Sequence, residues 1–536
     1  MGEDHRQDDR GAGRRESASS LGTGRSLHLF LVFAAAGALF FVLCGVWSRF
    51  HARLADFWIV LHYARGMRWA EPASWYCGFY PIGYALFLRL FPEHSVVFWA
   101  YILNAILAGL AVAAVAMLVA AAAGRRWGIA GFVAGLSHPL VFVFANTPGA
   151  DIGAAAFTSL AVYLLWKDAF GEGPEPPRAR QLMAAGLLLG LAALWRSHCV
   201  VSSAALIVAY CAVFRRRLSR RVLMLPFMFG LVFAVQPIVN VWSGHGLFAT
   251  AQRFNVYKMM HGIDWWHPPR EIRESVFELI VRNPRRFLEG YVPFLVGTAI
   301  LGWPAVLCAR VAEGKPAARF AAFALLGILV YAVPVGLGGS GRGPVVMGGL
   351  FTACFVLLIA AGVAWIRAAP GLIGMRRAAV LSALGFLVGV QLLQWLREDW
   401  FQLRTFRRRR EVLGKIEETL VARGLRDARE VFTDLFRFYL PSVPPFLPNR
   451  NGGWARYAVR GFNDTYPELP VGSPDEFFAA CRTRGIRFLV LTPDCRHVAG
   501  WLHRLYSHSL AGAARGVEYI GQRGVYRVFA VLSDPL

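Results

Sequence analysis

Residues 53–84 read RLADFWIVLHYARGMRWAEPASWYCGFYPIGY and separate the first long apolar run of the chain from the second. This insert is polar and aromatic, and its first acid, Asp56, follows the apolar run closely. A Tyr-Pro turn at Tyr80 lies near its end. An acid beside a membrane-length apolar run needs a reason to be there, because a carboxylate is poorly tolerated in hydrocarbon. The insert therefore predicts a site built at the surface of a bilayer.

The composition identifies a membrane protein. Of the 536 residues, 56% are hydrophobic and only 17% are charged, and the mean hydropathy is +0.45. A net charge of +24 is also found in nucleic-acid-binding proteins, but here the arginines occur in short blocks between apolar runs. Blocks of that kind are topology signals and contacts for anionic headgroups, so the pattern does not indicate nucleic acid as a partner.

About eleven apolar runs are long enough to cross a bilayer as helices, so the predicted fold class is an α-helical polytopic membrane protein. Two helices are expected within 182–214, since the basic block 215–221 would follow the second, although one long tilted helix there is the alternative. The predicted spans are Leu27–Trp47, 96–123, 128–146, 150–166, 182–196, 199–214, 222–243, 291–309, 318–337, 343–366 and 377–396.

The arginine blocks also predict the orientation. Every second connection between spans is basic, and basic connections lie in the cytoplasm. We therefore expect a multi-pass protein of a bacterial-type inner (plasma) membrane with its N-terminus on the cytoplasmic side. Residues 1–26 are charged and rich in Gly and Ser, and we expect them to be disordered. The membrane domain covers 27–396, with external loops at 50–95 and 244–290, and residues 397–536 follow it on the external side.

Residues 397–536 alternate strand-like runs with amphipathic segments and predict a small extracytoplasmic α/β domain. Ser473 to Glu476 form an N-cap, a proline at the first helical position and a capping-box glutamate, which start a helix running toward Arg484. Gly485 ends that helix, and buried strands follow at 487–492 and Val525–Val531.

Two further features of this tail each allow two interpretations. Cys481 and Cys495 are candidates for a disulfide, with two free thiols as the alternative. Arg407 to Arg410 form a basic block that is either a solvated helix face or a contact for anionic headgroups or a lipid phosphate.

Asp56 and Asp151 are the acids that could carry chemistry in the membrane domain. Asp151 follows Pro148-Gly149-Ala150 in a short predicted external turn, where it could instead simply cap the next helix. Two acids in external connections on one side favour a shared site. A divalent metal ion bridging Asp56 and Asp151 is conceivable, although no histidine accompanies them.

The first loop resembles that of the integral-membrane glycosyltransferases of the C superfamily, in particular protein O-mannosyltransferases and aminoarabinose-to-lipid-A transferases. The segments that carry the resemblance are Asp56, Tyr63-Ala64-Arg65-Gly66, Gly78 to Tyr84, the turn at 148–151, Gly190 to Arg196 and Arg282 to Phe287. In the mannosyltransferase group a second acid typically follows the first-loop aspartate, whereas this chain has Phe57. That departure argues against protein mannosylation.

The resemblance implies transfer of a sugar from a polyprenyl-phosphate donor to an acceptor hydroxyl on an envelope lipid, glycan or protein. Asp56 matches the catalytic base. The leaving lipid phosphate needs cations and hydrogen-bond donors, for which the candidates are Arg196, Arg253, Lys258 and Arg270, with Tyr80 or Tyr257. A snorkelling role for Arg196 at the interface is the alternative.

Trp265, Trp266 and His267 could stack on a sugar, or their rings could rest in the headgroup belt.

Two functions of other classes also suit a chain of this composition. A secondary transporter or lipid flippase would contain internal repeats and charges near the midplane, and the sequence shows no convincing repeat. A non-catalytic scaffold would use the tail to bind a partner.

Overall fold

The structure is a computed structural model of the chain. It describes residues 23–48, 55–78, 80–92, 95–123, 125–137, 139–170, 179–197, 199–213, 220–249, 260–261, 276–289, 400–426, 430–434, 469–470, 472–497, 499–507 and 516–533. The four predicted spans between 291 and 396 lie outside the described residues, as does the predicted disordered segment up to residue 22.

The described part of the membrane domain is helical. Its helices are α1 (Thr23–Trp47), α2 (Ala55–Gly66), α3 (Ile82–Arg89), α4 (Val96–Ala123), α5 (Arg125–Leu136), α6 (Pro139–Ala145), α7 (Asp151–Phe170), α8 (Ala179–Trp195), α9 (Cys199–Val213), α10 (Met224–Phe233), α11 (Val235–Trp242) and α12 (Val276–Arg282). The insert 53–84 thus contains α2 and the start of α3, joined by a short 3-10 helix at Pro72–Trp75.

Three segments among the described residues are long and apolar enough to cross a membrane: Ser26–Trp47, Val96–Ala120 and Arg220–Trp242. The shorter apolar helices Asp151–Leu165 and Ala179–Trp195 accompany them. The third segment is formed by α10 and α11, and Pro237 lies just after their junction. A proline there lacks the N–H that would bond to the preceding turn, which accounts for the break.

The structure corrects one predicted span and supports another. The run 128–146 was expected to be a single helix, but it forms α5 and α6, because Pro139 begins α6 and disfavours helical conformation in the residue before it. Within 182–214 the chain forms two helices, as the basic block predicted. The Ser203 hydroxyl on α9 donates to the Leu189 carbonyl on α8 at 3.2 Å, so the two helices pack side by side.

Helices α1 and α4 pack very closely. A Cβ at Gly109 of α4 would lie 2.5 Å from the Ala34 carbonyl oxygen of α1. Since real side chains do not approach backbone at that distance, only glycine permits this contact. Close approach through small residues is the usual way in which membrane helices associate, because burial from water cannot drive them together in lipid.

The tail contains α13 (Trp400–Ala422), β1 (Val431–Thr433), α14 (Pro474–Thr483), β2 (Phe488–Leu491), α15 (Gly500–Ser507), β3 (Val517–Arg523) and β4 (Tyr526–Val531). The strands form one sheet in the order β1-β2-β4-β3. The first pair is parallel, with Phe432 opposite Leu489, and the other two pairs are antiparallel.

Local predictions in the tail agree with the structure. The Ser473 hydroxyl accepts a hydrogen bond from the Glu476 amide at 3.3 Å, as a capping box requires. Gly485 follows α14 at φ +69°, a left-handed conformation that favours glycine, and strands follow where they were expected. Cys481 and Cys495 are both buried free thiols, so the disulfide alternative does not apply.

The tail and the membrane domain share one buried apolar cluster. It includes Phe57 of α2, Ala154 of α7, Trp195 of α8, Leu413 of α13 and Val490 of β2. Continuous burial across these elements means that the tail is part of the same packed structure as the first loop and the ends of α7 and α8.

Candidate functional site

An ion pair lies where α7 begins and α8 ends. The Nη2 atom of Arg196 lies 2.5 Å from the Oδ2 atom of Asp151. Only 1% of the Asp151 surface and 8% of the Arg196 surface are exposed. A charged hydrogen bond of this length is strong, and both charges would be costly to bury alone. The two residues therefore depend on each other.

The position of Asp151 is set by the turn between α6 and α7. Asn104 of α4 donates from its amide to the carbonyls of Phe144, at 3.2 Å, and Thr147, at 2.9 Å. These bonds tie the turn to the first third of a membrane-length helix. Asp151 is then the first residue of α7, where the positive end of the helix dipole stabilises a carboxylate.

Arg196 follows directly after the last residue of α8. Its amide still bonds to the Ala192 carbonyl at 2.9 Å, which continues the helical pattern, and a cation at a helix C-terminus is stabilised by the dipole. The preceding Trp195 packs against Gly153 of α7, where a Cβ would lie 2.3 Å from the indole Nε1 atom. The close approach of α7 and α8 thus brings the two charges together.

Two tyrosines of the first loop complete the surroundings of the ion pair. The guanidinium carbon of Arg196 lies 5.6 Å from the centre of the Tyr80 ring, within cation–π distance. Tyr84 is 1% exposed, and its ring centre lies 5.7 Å from that of Trp195. Burial, together with the Asp151 carboxylate, raises the pKa of Tyr84, so its hydroxyl keeps its proton and remains a donor.

Two polar atoms at this junction are buried without a hydrogen-bond partner among the described residues. They are the Asp151 Oδ1 atom and the Trp195 Nε1 atom, whereas the buried Tyr84 hydroxyl lies close to the Gly149 backbone amide. Buried polar groups in proteins are nearly always bonded, and unpaired ones often mark a place where a ligand or water completes the network. An acceptor and a donor without protein partners thus lie at the helix junction that carries the Arg196–Asp151 pair.

Helix α3 is fixed to the rest of the domain at its first residue. The Ile82 amide donates to the Gln236 side-chain oxygen of α11 at 2.8 Å, and the Gln236 amide donates to Asn240 at 2.9 Å. A Cβ at Gly83 would lie 2.6 Å from the Leu194 carbonyl oxygen of α8. The close contact at Gly83 and the hydrogen bond to Gln236 of α11 together hold the first loop against the ion pair.

Aromatic side chains cover the outer part of the same loop. Trp75 lies 4.6 Å from Trp69 and 5.2 Å from Trp242, measured between ring centres. Tyr76 and His245 stack at 3.7 Å. The loop is thereby joined to the end of α11 by rings, in addition to the Gln236 bond.

The structure brings together three of the predicted site residues, Asp151, Arg196 and Tyr80. Asp56 lies in the first turn of α2, directly before the fully buried Phe57, but its side chain is outside the described part of the chain. The remaining candidates lie outside the described residues: Arg253, Tyr257, Lys258, Trp265, Trp266, His267 and Arg270.

The structure adds burial to both members of the ion pair. Asp151, which was predicted in a short external turn, is buried within the protein, because that turn is held to Asn104 of α4. The snorkelling alternative for Arg196 is wrong, since its side chain is buried against Asp151 and Tyr80. The sequence analysis gave no role to Tyr84, Trp195 or Gln236, although Tyr84 and Trp195 lie in segments that carry the family resemblance.

Within the described part of the chain no three His, Cys, Asp or Glu side chains come together as metal ligands. One oxygen of the Asp151 carboxylate, Oδ2, already bonds to the Arg196 guanidinium. The other oxygen, Oδ1, is the atom that could bind a metal ion. A metal ion shared by Asp56 and Asp151 stays a prediction.

No protein-family model matches the chain, and no curated protein matches its sequence. Comparison with solved structures gives a clear result for the fold. A crystal structure of ArnT from Cupriavidus metallidurans in the apo state aligns with a TM-score of 0.50 and 16% identity, over 94% of this chain and 98% of that chain. The chain has the ArnT fold.

A second structure of ArnT from the same organism, bound to undecaprenyl phosphate, aligns over 94% and 98% of the two chains with a TM-score of 0.49 and 16% identity. The alignment with the apo structure confirms the fold expected from the first-loop resemblance: the chain is a mostly helical membrane protein with an ArnT-like fold. At this identity the likeness concerns the fold, and the chemistry of the site has to be argued from its own residues.

Proposed function

We propose that the chain is a membrane glycosyltransferase that moves a sugar from a polyprenyl-phosphate donor to an acceptor hydroxyl on the extracytoplasmic face. The observation that carries the proposal is the buried Arg196 guanidinium, held between Asp151 and the Tyr80 ring of the first loop. A buried ion pair in a membrane protein is a candidate functional site by default, and the unpaired donor beside it could bond to an anion. ArnT, whose fold the chain shares, has been crystallised with undecaprenyl phosphate.

In this proposal Arg196 and the Tyr80 and Tyr84 hydroxyls stabilise the donor phosphate. As the glycosidic bond breaks, its electron pair leaves with the phosphate, and fixed donors stabilise the charge that develops there. Asp151 positions Arg196 for this task by holding one end of the guanidinium. Arg253, Lys258 and Arg270 would add positive charge from the loop 244–290.

Asp56 is the proposed general base. Its carboxylate takes the proton of the acceptor hydroxyl while the acceptor oxygen forms its bond to the anomeric carbon from the face opposite the phosphate, so the configuration inverts. Trp265, Trp266 and His267 are proposed to stack on the sugar. Any divalent ion held by Asp56 and Asp151 would supply further positive charge to the leaving phosphate.

The proposed topology has about eleven spans with the N-terminus in the cytoplasm of the inner (plasma) membrane. The catalytic domain covers 27–396, with external loops at 50–95 and 244–290. The tail, 397–536, is a small external α/β domain that helps to shape the acceptor site. The burial of Phe57 and Val490 in one cluster supports a tail that lies next to the first loop.

The donor part of the proposal is tested by binding. The full chain is reconstituted in lipid nanodiscs and titrated with undecaprenyl phosphate. We expect saturable binding that weakens at least about tenfold in Arg196→Gln, because a guanidinium–phosphate contact is lost. The control is Arg285→Gln, which removes an exposed arginine paired with Glu289. Absence of binding by the unmodified protein would overturn the assignment of the donor.

The catalytic part is tested by turnover with radiolabelled undecaprenyl-phosphate pentoses and hexoses, using an envelope lipid extract as acceptor. Asp56→Asn should abolish transfer and leave undecaprenyl phosphate binding intact. Asp475→Asn, which changes an exposed acid in the first turn of α14, should leave both transfer and undecaprenyl phosphate binding intact. Normal turnover by Asp56→Asn would remove its role as base.

Two further measurements separate the proposal from its rivals. Leaflet-to-leaflet movement of a fluorescent lipid without sugar transfer would identify a flippase instead. Unchanged envelope glycans in a deletion strain, measured by mass spectrometry, would favour a scaffold.

A further inference from the structure

Helix α13 has its charges separated along its length. Residues 400–410 contain five arginines and no acid, namely Arg404, Arg407, Arg408, Arg409 and Arg410. Residues 411–422 contain three glutamates and one lysine. A helix that only needed a solvated surface would mix the signs, because alternating pairs one turn apart stabilise it. The first half of α13 is instead a concentrated positive surface.

Arg404 and Arg408 form an exposed basic face on this helix. They are four residues apart, so they lie one above the other on one side. The buried residues of α13, Leu413, Ile416 and Leu420, are on the opposite side. Neither Arg404 nor Arg408 has an ion-pair partner in the part of the chain that the structure describes. Their charge is therefore directed away from the tail.

The contact between Arg407 and Trp47 fixes the level of this face. The guanidinium carbon of Arg407 lies 5.5 Å from the centre of the Trp47 ring, and Arg407 also bonds to Glu411 at 3.2 Å. Trp47 is the last residue of the apolar span Ser26–Trp47. Tryptophans at the ends of spans mark the level of the lipid headgroups. Arg404 and Arg408, within one turn of Arg407, lie close to that level.

We infer that the basic face of Arg404 and Arg408 binds the headgroups of anionic phospholipids in the leaflet that surrounds the end of α1. A guanidinium can donate two parallel hydrogen bonds to a phosphate, and basic segments are attracted to an anionic leaflet within a Debye length of about 10 Å. In the proposed topology, a basic block that reaches the outer end of α1 through Arg407 also opposes the usual charge bias of membrane proteins. Binding to a negative surface gives this block a function at that level.

The test compares the full chain reconstituted in phosphatidylcholine vesicles with the chain in vesicles that also contain phosphatidylglycerol. Hydrogen–deuterium exchange is followed for the peptide that covers residues 400–410. We expect exchange slower by roughly fivefold with phosphatidylglycerol, and loss of that difference at high salt, because the contact is electrostatic.

The variant Arg404→Gln/Arg408→Gln should exchange at the same rate in both lipid mixtures. The matched control Arg496→Gln/Arg504→Gln removes the same charge from exposed positions elsewhere in the tail and should keep the difference. Equal exchange of the unmodified protein in both lipids would overturn the inference. A difference that persists in Arg404→Gln/Arg408→Gln would do the same.

Discussion

The guanidinium of Arg196 and the carboxylate of Asp151 are 45 positions apart in the sequence and 2.5 Å apart in the structure, and both are almost completely buried. The pair joins the start of α7 to the end of α8, and the first loop covers it through Tyr80. Because each charge neutralises the other away from water, the stability of the helix junction and the chemistry of the site rest on the same contact.

Removal of either partner should destabilise the protein. Arg196→Gln or Asp151→Asn alone leaves one charge buried without its counterion, and we expect each to lower the free energy of unfolding by about 3–5 kcal/mol. The double variant should lose less than the sum of the two single variants. Thermal unfolding of the unmodified protein, the two single variants and the double variant in nanodiscs measures the coupling free energy between the two residues. The same measurement on the exposed Arg285–Glu289 pair should give a coupling of about 0–1 kcal/mol, and equal coupling for both pairs would contradict the prediction.

Gly83→Ala should separate the first loop from α8. The new methyl group would lie 2.6 Å from the Leu194 carbonyl oxygen, so backbone has to move, at a cost of about 1–3 kcal/mol. We expect weaker undecaprenyl phosphate binding as Tyr80 and Tyr84 move from Arg196. Gly230→Ala is the control, because no atom lies within 4 Å of its new methyl group. Identical affinity in the two variants would show that the loop contact does not matter for binding.

Gln236→Leu should loosen the start of α3. The Ile82 amide would lose its acceptor, and an unsatisfied buried amide costs about 1–3 kcal/mol. Gln236→Glu keeps an acceptor oxygen at the same place and should retain more stability. Proteolysis at low protease concentration reports the opening of the loop 66–81. Equal protection in both variants would mean that the bond contributes little.

The Cys481 thiol should be unreactive in the folded protein. Burial raises the pKa of Cys481 to about 12, from an ordinary value of 9.0. A higher pKa lowers the thiolate fraction at neutral pH, and the thiolate is the species that reacts with alkylating agents. Mass spectrometry after iodoacetamide treatment at pH 8 should find Cys481 unmodified until the protein is denatured. Labelling in the native state, or a bond to Cys495, would contradict the structure.

The features that the sequence predicted well depend on neighbouring residues. The capping box at Ser473 and the glycine stop at Gly485 are local backbone chemistry. The strands in the tail follow from short apolar runs between turns. Asp151 and Arg196 were both predicted as site residues, because the arginine blocks predict external connections for both, but their direct ion pair was not predicted.

The features that it missed depend on distant packing. Tyr84 and Trp195 face the ion pair because α3 approaches α8 through Gly83, and no local pattern reveals such an approach. Gln236 was read as part of an apolar span, whereas it accepts the hydrogen bond that fixes the first loop. Burial of Asp151 could not be foreseen because Asn104, which holds its turn, is 47 positions away in the sequence.

The bond between Asn104 and Thr147 has a consequence for how substrates reach the site. Asn104 lies eight residues after Val96, the first residue of its span, which corresponds to about 12 Å along the helix axis. The turn that leads into Asp151 is therefore anchored about two helical turns inside α4. In the proposed topology, in which α4 begins at the external surface, a polyprenyl lipid in the leaflet could approach the site sideways at that depth, whereas a water-soluble nucleotide sugar would have to descend from the aqueous phase.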